Sequence, residues 1–221
     1  MTAGLCIAIV GAESTGKTVL AGALCDRLAE ATGLRCTWIG ELLRDWCDSH
    51  RRTPRPEEQR AIAEGQAQRV VEAAAAFDIV IADTTPLMTA VYSELLFGDR
   101  SLHEMALDHQ RRHALTLLTA LDLPWVADGL QRDGPHVRAP VDALIREMLH
   151  AHRLPWSLVA GSGTVRVENA LDAVAPRLRK ATVPRRGLFT RLAERNAADR
   201  PWLCELCDDP DCEHRSLNRS R

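Results

Sequence analysis

The chain has 221 residues, with 28 Lys+Arg against 30 Asp+Glu and a formal net charge of −2. Its length suits one main domain with room for a small appendage, since single domains commonly reach about 200–250 residues. The near-even charge balance excludes the global basic field that draws proteins to nucleic acid or anionic membranes, and no apolar run approaches the ~20 residues of a membrane span.

Short apolar runs alternate with longer helical patterns along the chain. Strands are expected at Leu5–Val10, Arg35–Ile39, Asp78–Ala82, Leu115–Leu121 and Ser157–Ala160. Helices are expected at Thr18–Ala31, Glu57–Ala76, Leu87–Leu96, Leu102–Gln110, Pro140–His152 and Val165–Lys180. Buried-type strands separated by helices predict an α/β fold, a doubly wound and mainly parallel five-stranded sheet with helices on both faces. In such a sheet ligands sit beyond the carboxyl ends of the strands. "RRTPRPEEQ" reads as a loop because Pro54 and Pro56 disfavour helix before Glu57. Pro184 breaks the last core helix, so residues 1–183 are expected to form the main domain and 184–221 a helix and Cys-bearing tail.

The N-terminus "MTAGLCIAIVGAES" leads straight into a strand and loop instead of a signal peptide, which predicts a cytosolic protein. Seven cysteines, an odd number, then predict reduced thiols, with metal binding where they cluster.

"GAESTGKT", Gly11 to Thr18, matches G-x-x-x-x-G-K-[ST] between an expected strand and an expected helix. Gly11 and Gly16 let the backbone turn so that consecutive N–H groups, including those of Glu13, Ser14 and Thr15, face an anion. The start of the following helix adds its positive end. Lys17 reaches β- and γ-phosphates and Thr18 ligates Mg²⁺. Among the basic residues only Lys17 and Lys180 are lysine, so a residue this chain otherwise avoids stands where the motif needs it. The competing reading is a chance glycine-rich turn.

In "FDIVIADTT" a strand ends at Asp83, whose carboxylate either holds Mg²⁺ or caps the helix after Pro86. In "CTWIGELLRDW", Glu41 and Arg44 lie at i, i+3 if the turn is helical. They form either a surface ion pair or an acceptor site in which the carboxylate takes a hydroxyl proton and the guanidinium holds substrate. "VADGLQRDGPHVR" is too polar and glycine-rich for a core element; it is an ordinary surface loop or a lid carrying Arg132 and Arg138.

In this order, "GAESTGKT", Glu41-x-x-Arg44, "IADTT", "LPWVADGLQRDG" and "LVAGSGTVRVENAL" resemble the ribosylnicotinamide kinase domain of NadR-type NAD-biosynthesis proteins, over residues 5–180. The resemblance implies a P-loop NTPase-type kinase that uses ATP and Mg²⁺. It places Gly11, Glu13, Ser14, Gly16, Lys17 and Thr18 on the ATP phosphates, and Gly161 and Arg166 on the loop near the adenine. Glu41 and Arg44 fall on the nucleoside side, and Asp83 on the acidic strand end. Asp128 and Arg132 fall in the lid, where the arginine neutralises charge on the transferred phosphoryl group. Leu42 replaces the family's tyrosine and Thr85 its second acidic residue, so base stacking falls to Trp38, Trp46 or Trp125, unless these are core residues. The HxGH-type segment of an adenylyltransferase half is absent from the sequence.

Cys204, Cys207, Cys212 and His214 form C-x₂-C-x₄-C-x-H. They are four candidate ligands for a structural zinc, against a reduced polar tail or a redox-active Cys204-x-x-Cys207. The resulting expectation is an ATP- and Mg²⁺-dependent kinase acting on the 5′-hydroxyl of a ribonucleoside such as nicotinamide riboside. Lys17, Glu41, Asp83 and Arg132 would be its catalytic groups, with Asp83 the rival base, and Trp38, Arg44 and Asp128 would bind the acceptor. The alternatives are a P-loop ATPase or GTPase whose nucleotide state regulates binding to a partner, and a zinc-tail interaction module with a degenerate nucleotide site.

Overall fold

The computed structural model describes residues 4–126 and 134–181. Strands β1 (Leu5–Val10), β2 (Cys36–Ile39), β3 (Ile79–Asp83), β4 (Leu115–Thr119) and β5 (Trp156–Val159) form one sheet in the order β2-β3-β1-β4-β5. Every neighbouring pair is parallel, with Ile9 opposite Asp83 and Val10 opposite Leu118. The helices are α1 (Lys17–Thr32), α2 (Leu42–His50), α3 (Pro56–Ala76), α4 (Pro86–Phe97), α5 (His103–Gln110), α6 (Arg138–Ala151) and α7 (Gly163–Ala181). This is the α/β P-loop NTPase-like fold.

The central strands are apolar on both faces, as a sheet covered by helices on both sides requires. Val10, Val80, Ala82 and Leu118 pack under α3, α4 and α6. The alternate residues Ile7, Ile9, Ile79, Ile81 and Leu117 are at most 1% exposed and face the other way, toward the layer of α1 and α7. Helix α1 buries Leu20, Ala21, Leu24 and Leu28, a stripe spaced by three or four residues. It stops at Gly33, whose positive φ of 67° is the left-handed cap that glycine adopts without strain.

Helix α2 begins at Leu42, so Glu41 and Arg44 do stand one turn apart, and it ends at His50 before the expected loop. Pro56 opens α3 at a position where its missing N–H costs nothing. Glu58 accepts the Arg55 N–H at 2.7 Å and both Arg52 guanidinium nitrogens at 2.6 and 2.7 Å, and these contacts hold its carboxyl down at about 2. The loop carrying Thr53 and Pro54 is thereby pinned between α2 and α3.

The path from β1 leaves toward β2 on one side, and the path from β3 crosses β1 to reach β4 on the other. Beyond the carboxyl ends of β1, β3 and β4 this reversal leaves a crevice, the usual place for a ligand in an open α/β sheet. No helix among the described residues is long and apolar enough to cross a membrane.

Candidate active site

The segment Gly11–Gly16 occupies that crevice. A Cβ at Gly11 would fall 2.0 Å from the Thr119 hydroxyl, and Gly11 and Gly16 adopt φ of 153° and 74°, so both positions demand glycine. Ser14 takes φ 57°, and its hydroxyl accepts the Val126 N–H at 2.8 Å. Thr15 is fully buried and its hydroxyl donates to the Ala12 carbonyl at 2.8 Å, so its contribution toward the crevice is its backbone N–H. Helix α1 has no side-chain cap, which leaves its first N–H groups directed at the crevice as an anion site. Lys17 Nζ donates to the Ala12 carbonyl at 2.9 Å, at the edge of the same loop.

A second layer holds the loop from below. The guanidinium of Arg166, 4% exposed, donates to the carbonyls of Thr15 and of Gly161, the latter at 2.7 Å, and pairs with Asp122. Asp122 in turn accepts the Gly161 N–H. Gly161 lies in the β5–α7 loop and Arg166 in the first turn of α7, with the arginine's donors directed at backbone and Asp122.

Asp83 ends β3 opposite Ile9, next to Lys17 and Thr18, and is 1% exposed. Burial pushes its carboxyl above the usual range, while the Thr18 hydroxyl and the Lys17 and Arg44 charges oppose that rise. Neither oxygen accepts a hydrogen bond of good geometry. Two buried, unsatisfied carboxylate oxygens beside a threonine hydroxyl and a phosphate loop fit a hard divalent cation such as Mg²⁺, which takes few protein ligands and completes its shell with phosphate and water. Thr85, and not Asp83, is the residue preceding α4, and no side-chain hydrogen bond caps that helix. Among the described residues no group of three or more His, Cys, Asp or Glu side chains is placed to hold a metal.

A cavity of about 330 Å³ opens from the loop. Its lining combines Glu13, Ser14 and Lys17 from the loop and the start of α1, the charged Glu41 and Arg44, the largely apolar Leu43, Met88, Tyr92, Leu96 and Phe97, and Thr53, Pro54 and Gln59. Glu41 and Arg44 pair at 3.5 Å and both line the cavity, so they are an ion pair and a cavity wall at once. Thr84, also in the wall, adopts φ 69°, a left-handed conformation unusual for a β-branched residue. Its N–H donates to Ile9 at 3.0 Å and its carbonyl accepts from Gln66 at 3.4 Å, contacts that offset the strain.

The two departures from the resembled pattern have structural reasons. Leu42 points at α3, where a Cβ on Gly65 would lie 2.6 Å from its Cδ2, and its N–H is held by Gln66 at 2.8 Å. The Thr85 hydroxyl donates to Gln110 at 2.7 Å inside the core. Trp38 does not line the cavity: Ile39 faces α3, so its neighbour faces the opposite side of the sheet at the edge strand, 40% exposed. The Trp46 ring is stacked on His50 at 3.9 Å and covered by Arg52. The aromatic walls are instead Tyr92 and Phe97, with Gln59, Met88 and Thr84 as further lining residues that sequence reasoning missed. Asp128 and Arg132 lie outside the described residues, as do Cys204, Cys207, Cys212 and His214.

Residues 6–166 match the family model described as an AAA domain. No curated protein matches the chain. Among solved structures, the crystal structure of NadR protein in complex with NR superposes with a TM-score of 0.62 at 19% identity, covering 84% of this chain and 53% of that one. The crystal structure of NadR protein in complex with NAD and AMP-PNP gives 0.60 at 18% identity, covering 83% and 51%. At such identity the likeness shows the fold alone, and the chain spans about half the length of these structures.

Proposed function

The chain belongs to the AAA domain family, and from that premise we propose that it is a small-molecule kinase. It transfers the γ-phosphoryl group of ATP to the 5′-hydroxyl of a ribonucleoside such as nicotinamide riboside. The observation that carries this reading is the cavity of about 330 Å³ lined both by the phosphate loop and by apolar and aromatic side chains. Its size lies at the lower end of the roughly 300–1,000 Å³ typical of small-ligand sites, which suits an acceptor with a single-ring base. A nucleotide switch that moves no phosphoryl group has no need of an acceptor-sized chamber there. The NadR structures, named as complexes with NR and with AMP-PNP, support the same reading by fold.

In this reading the loop amides and the N-terminus of α1 hold the β- and γ-phosphates, and Lys17 leaves the Ala12 carbonyl to meet them. Thr18 and Asp83 would hold Mg²⁺, which would supply charge neutralisation. Arg44 orients the ribose and fixes the Glu41 carboxylate at 3.5 Å. Glu41 takes the proton of the 5′-hydroxyl as its oxygen bonds to the γ-phosphorus, and the bond from that phosphorus to the bridging oxygen breaks to release ADP. Asp83, whose oxygens face the loop, is the rival base. Arg132 is the lid group proposed to meet the transferred charge.

Incubation with Mg·ATP and a panel of ribonucleosides, with products identified by mass, tests this. A nucleoside 5′-monophosphate formed with equal ADP supports the kinase; slow ATP hydrolysis that no nucleoside accelerates favours a nucleotide-dependent regulatory protein instead.

A further inference from the structure

Gln59 is a residue of the cavity wall whose chemistry the phosphoryl-transfer scheme leaves unused. It sits in the first turn of α3, is 4% exposed, and lines the cavity that also holds Tyr92 and Phe97. Its side-chain carbonyl oxygen is buried with no hydrogen-bond partner. Leaving such a group unsatisfied is costly, so its retention in the cavity wall calls for a ligand.

We propose that Gln59 reads the base of the acceptor, selecting a planar ring that carries an uncharged amide over the same ring carrying a carboxylate. This rests on the kinase reading for the identity of the cavity as the acceptor site. A carboxamide presents one acceptor and one donor side by side, and a half-turn about its last bond exchanges them. A primary amide on the ligand is complementary to that pair in either setting, forming two reciprocal hydrogen bonds. A ring carboxylate has no donor for the glutamine oxygen, and it would also enter a cavity already bearing the Glu13 and Glu41 carboxylates. Tyr92 and Phe97 supply the flat apolar surface against which the ring lies. The site thus distinguishes the amide from the acid.

The test compares nicotinamide riboside with nicotinic acid riboside, both by kcat/KM with Mg·ATP and by calorimetric binding without ATP, in the wild type and in Gln59→Met. The wild type is expected to favour the amide by at least about tenfold in both measurements, because a site built to hydrogen-bond a group rejects an analogue that leaves it unpaired. In Gln59→Met the preference is expected to collapse to within about threefold, while the melting temperature holds or rises because an unsatisfied buried oxygen has been removed. A fall in melting temperature with the preference unchanged would assign Gln59 a structural role and overturn the proposal. Equal use of both nucleosides by the wild type also overturns it, leaving the kinase reading intact. If neither is phosphorylated but the binding preference is present and lost in Gln59→Met, the kinase reading fails and the role of Gln59 stands. If neither nucleoside binds, both fail.

Discussion

The Arg166 guanidinium donates to the Thr15 backbone carbonyl, joining α7 to the phosphate loop across 151 positions of sequence. With its bonds to Gly161 and Asp122, this side chain ties three strand-end loops together from beneath. Replacing it with alanine leaves a buried carbonyl and a partly exposed carboxylate without their partner. We expect Arg166→Ala to lose about 2–3 kcal/mol of stability, less than a fully buried pair would because Asp122 reaches solvent, and to raise the KM for ATP more than it lowers kcat. Thermal unfolding and an ATP titration check this; an unchanged melting temperature would remove the brace from the account.

In the proposed scheme Glu41 is the base and Asp83 holds the metal, and single substitutions separate the two roles. Glu41→Gln is expected to lower kcat by roughly 10²–10⁴ while ATP affinity is unchanged, the range for loss of a positioned base. Asp83→Asn should raise the Mg²⁺ concentration needed for half-maximal rate. A full rate in Glu41→Gln, together with a loss in Asp83→Asn that added Mg²⁺ does not restore, would move the base to Asp83.

Tyr92 and Trp38 offer a paired test of which ring meets the acceptor. Tyr92→Leu is expected to raise the acceptor KM by about three- to tenfold, in line with the ~0.5–1.5 kcal/mol that aromatic contact contributes beyond burial. Trp38→Leu, on the far side of the edge strand, should leave that KM within about twofold of wild type, as a surface change does. The reverse pattern would restore Trp38 to the site.

His109 and His113 are buried imidazoles that make stability sensitive to acid. They meet edge to face at 5.0 Å between rings, and burial holds them at about 4 and about 3, against an ordinary 6.5. The unfolded chain therefore takes up protons first, so stability is complete above about 6.5 and declines as the pH falls toward the folded values. Each ring contributes a slope of at most about 1.4 kcal/mol per pH unit. Unfolding midpoints measured between pH 7 and pH 5 should fall, and His113→Phe should flatten that fall; an unchanged slope would exclude His113 as its source.

The phosphate loop, the five strands and the strand-end Asp83 were legible in the sequence because each is a local pattern: an apolar run of strand length, a glycine spacing, a lysine where lysine is otherwise avoided. The acceptor wall was not. Tyr92 and Phe97 lie on α4, whose residues Pro86 to Val91 are all buried, so nothing in its pattern separates a residue facing a cavity from one facing the core. Leu42 acquires its meaning only when α3 crosses α2 and offers Gly65 beneath it. Gln59 was hidden for the same reason, as one polar residue near the start of an otherwise polar helical turn. The fold places these groups together through contacts between elements distant in sequence, which spacing along one element does not record.

The central claim is that the cavity beside the phosphate loop accepts the group that receives the phosphoryl. It is tested most directly by steady-state ADP release with Mg·ATP, with and without nicotinamide riboside, in the wild type and in Lys17→Ala. The account expects release to rise by at least about a hundredfold on adding the nucleoside and to fall by about 10²–10³ in Lys17→Ala, the range for loss of one donor to developing charge. A rate that no ribonucleoside changes, or a Lys17→Ala variant as fast as the wild type, would contradict it.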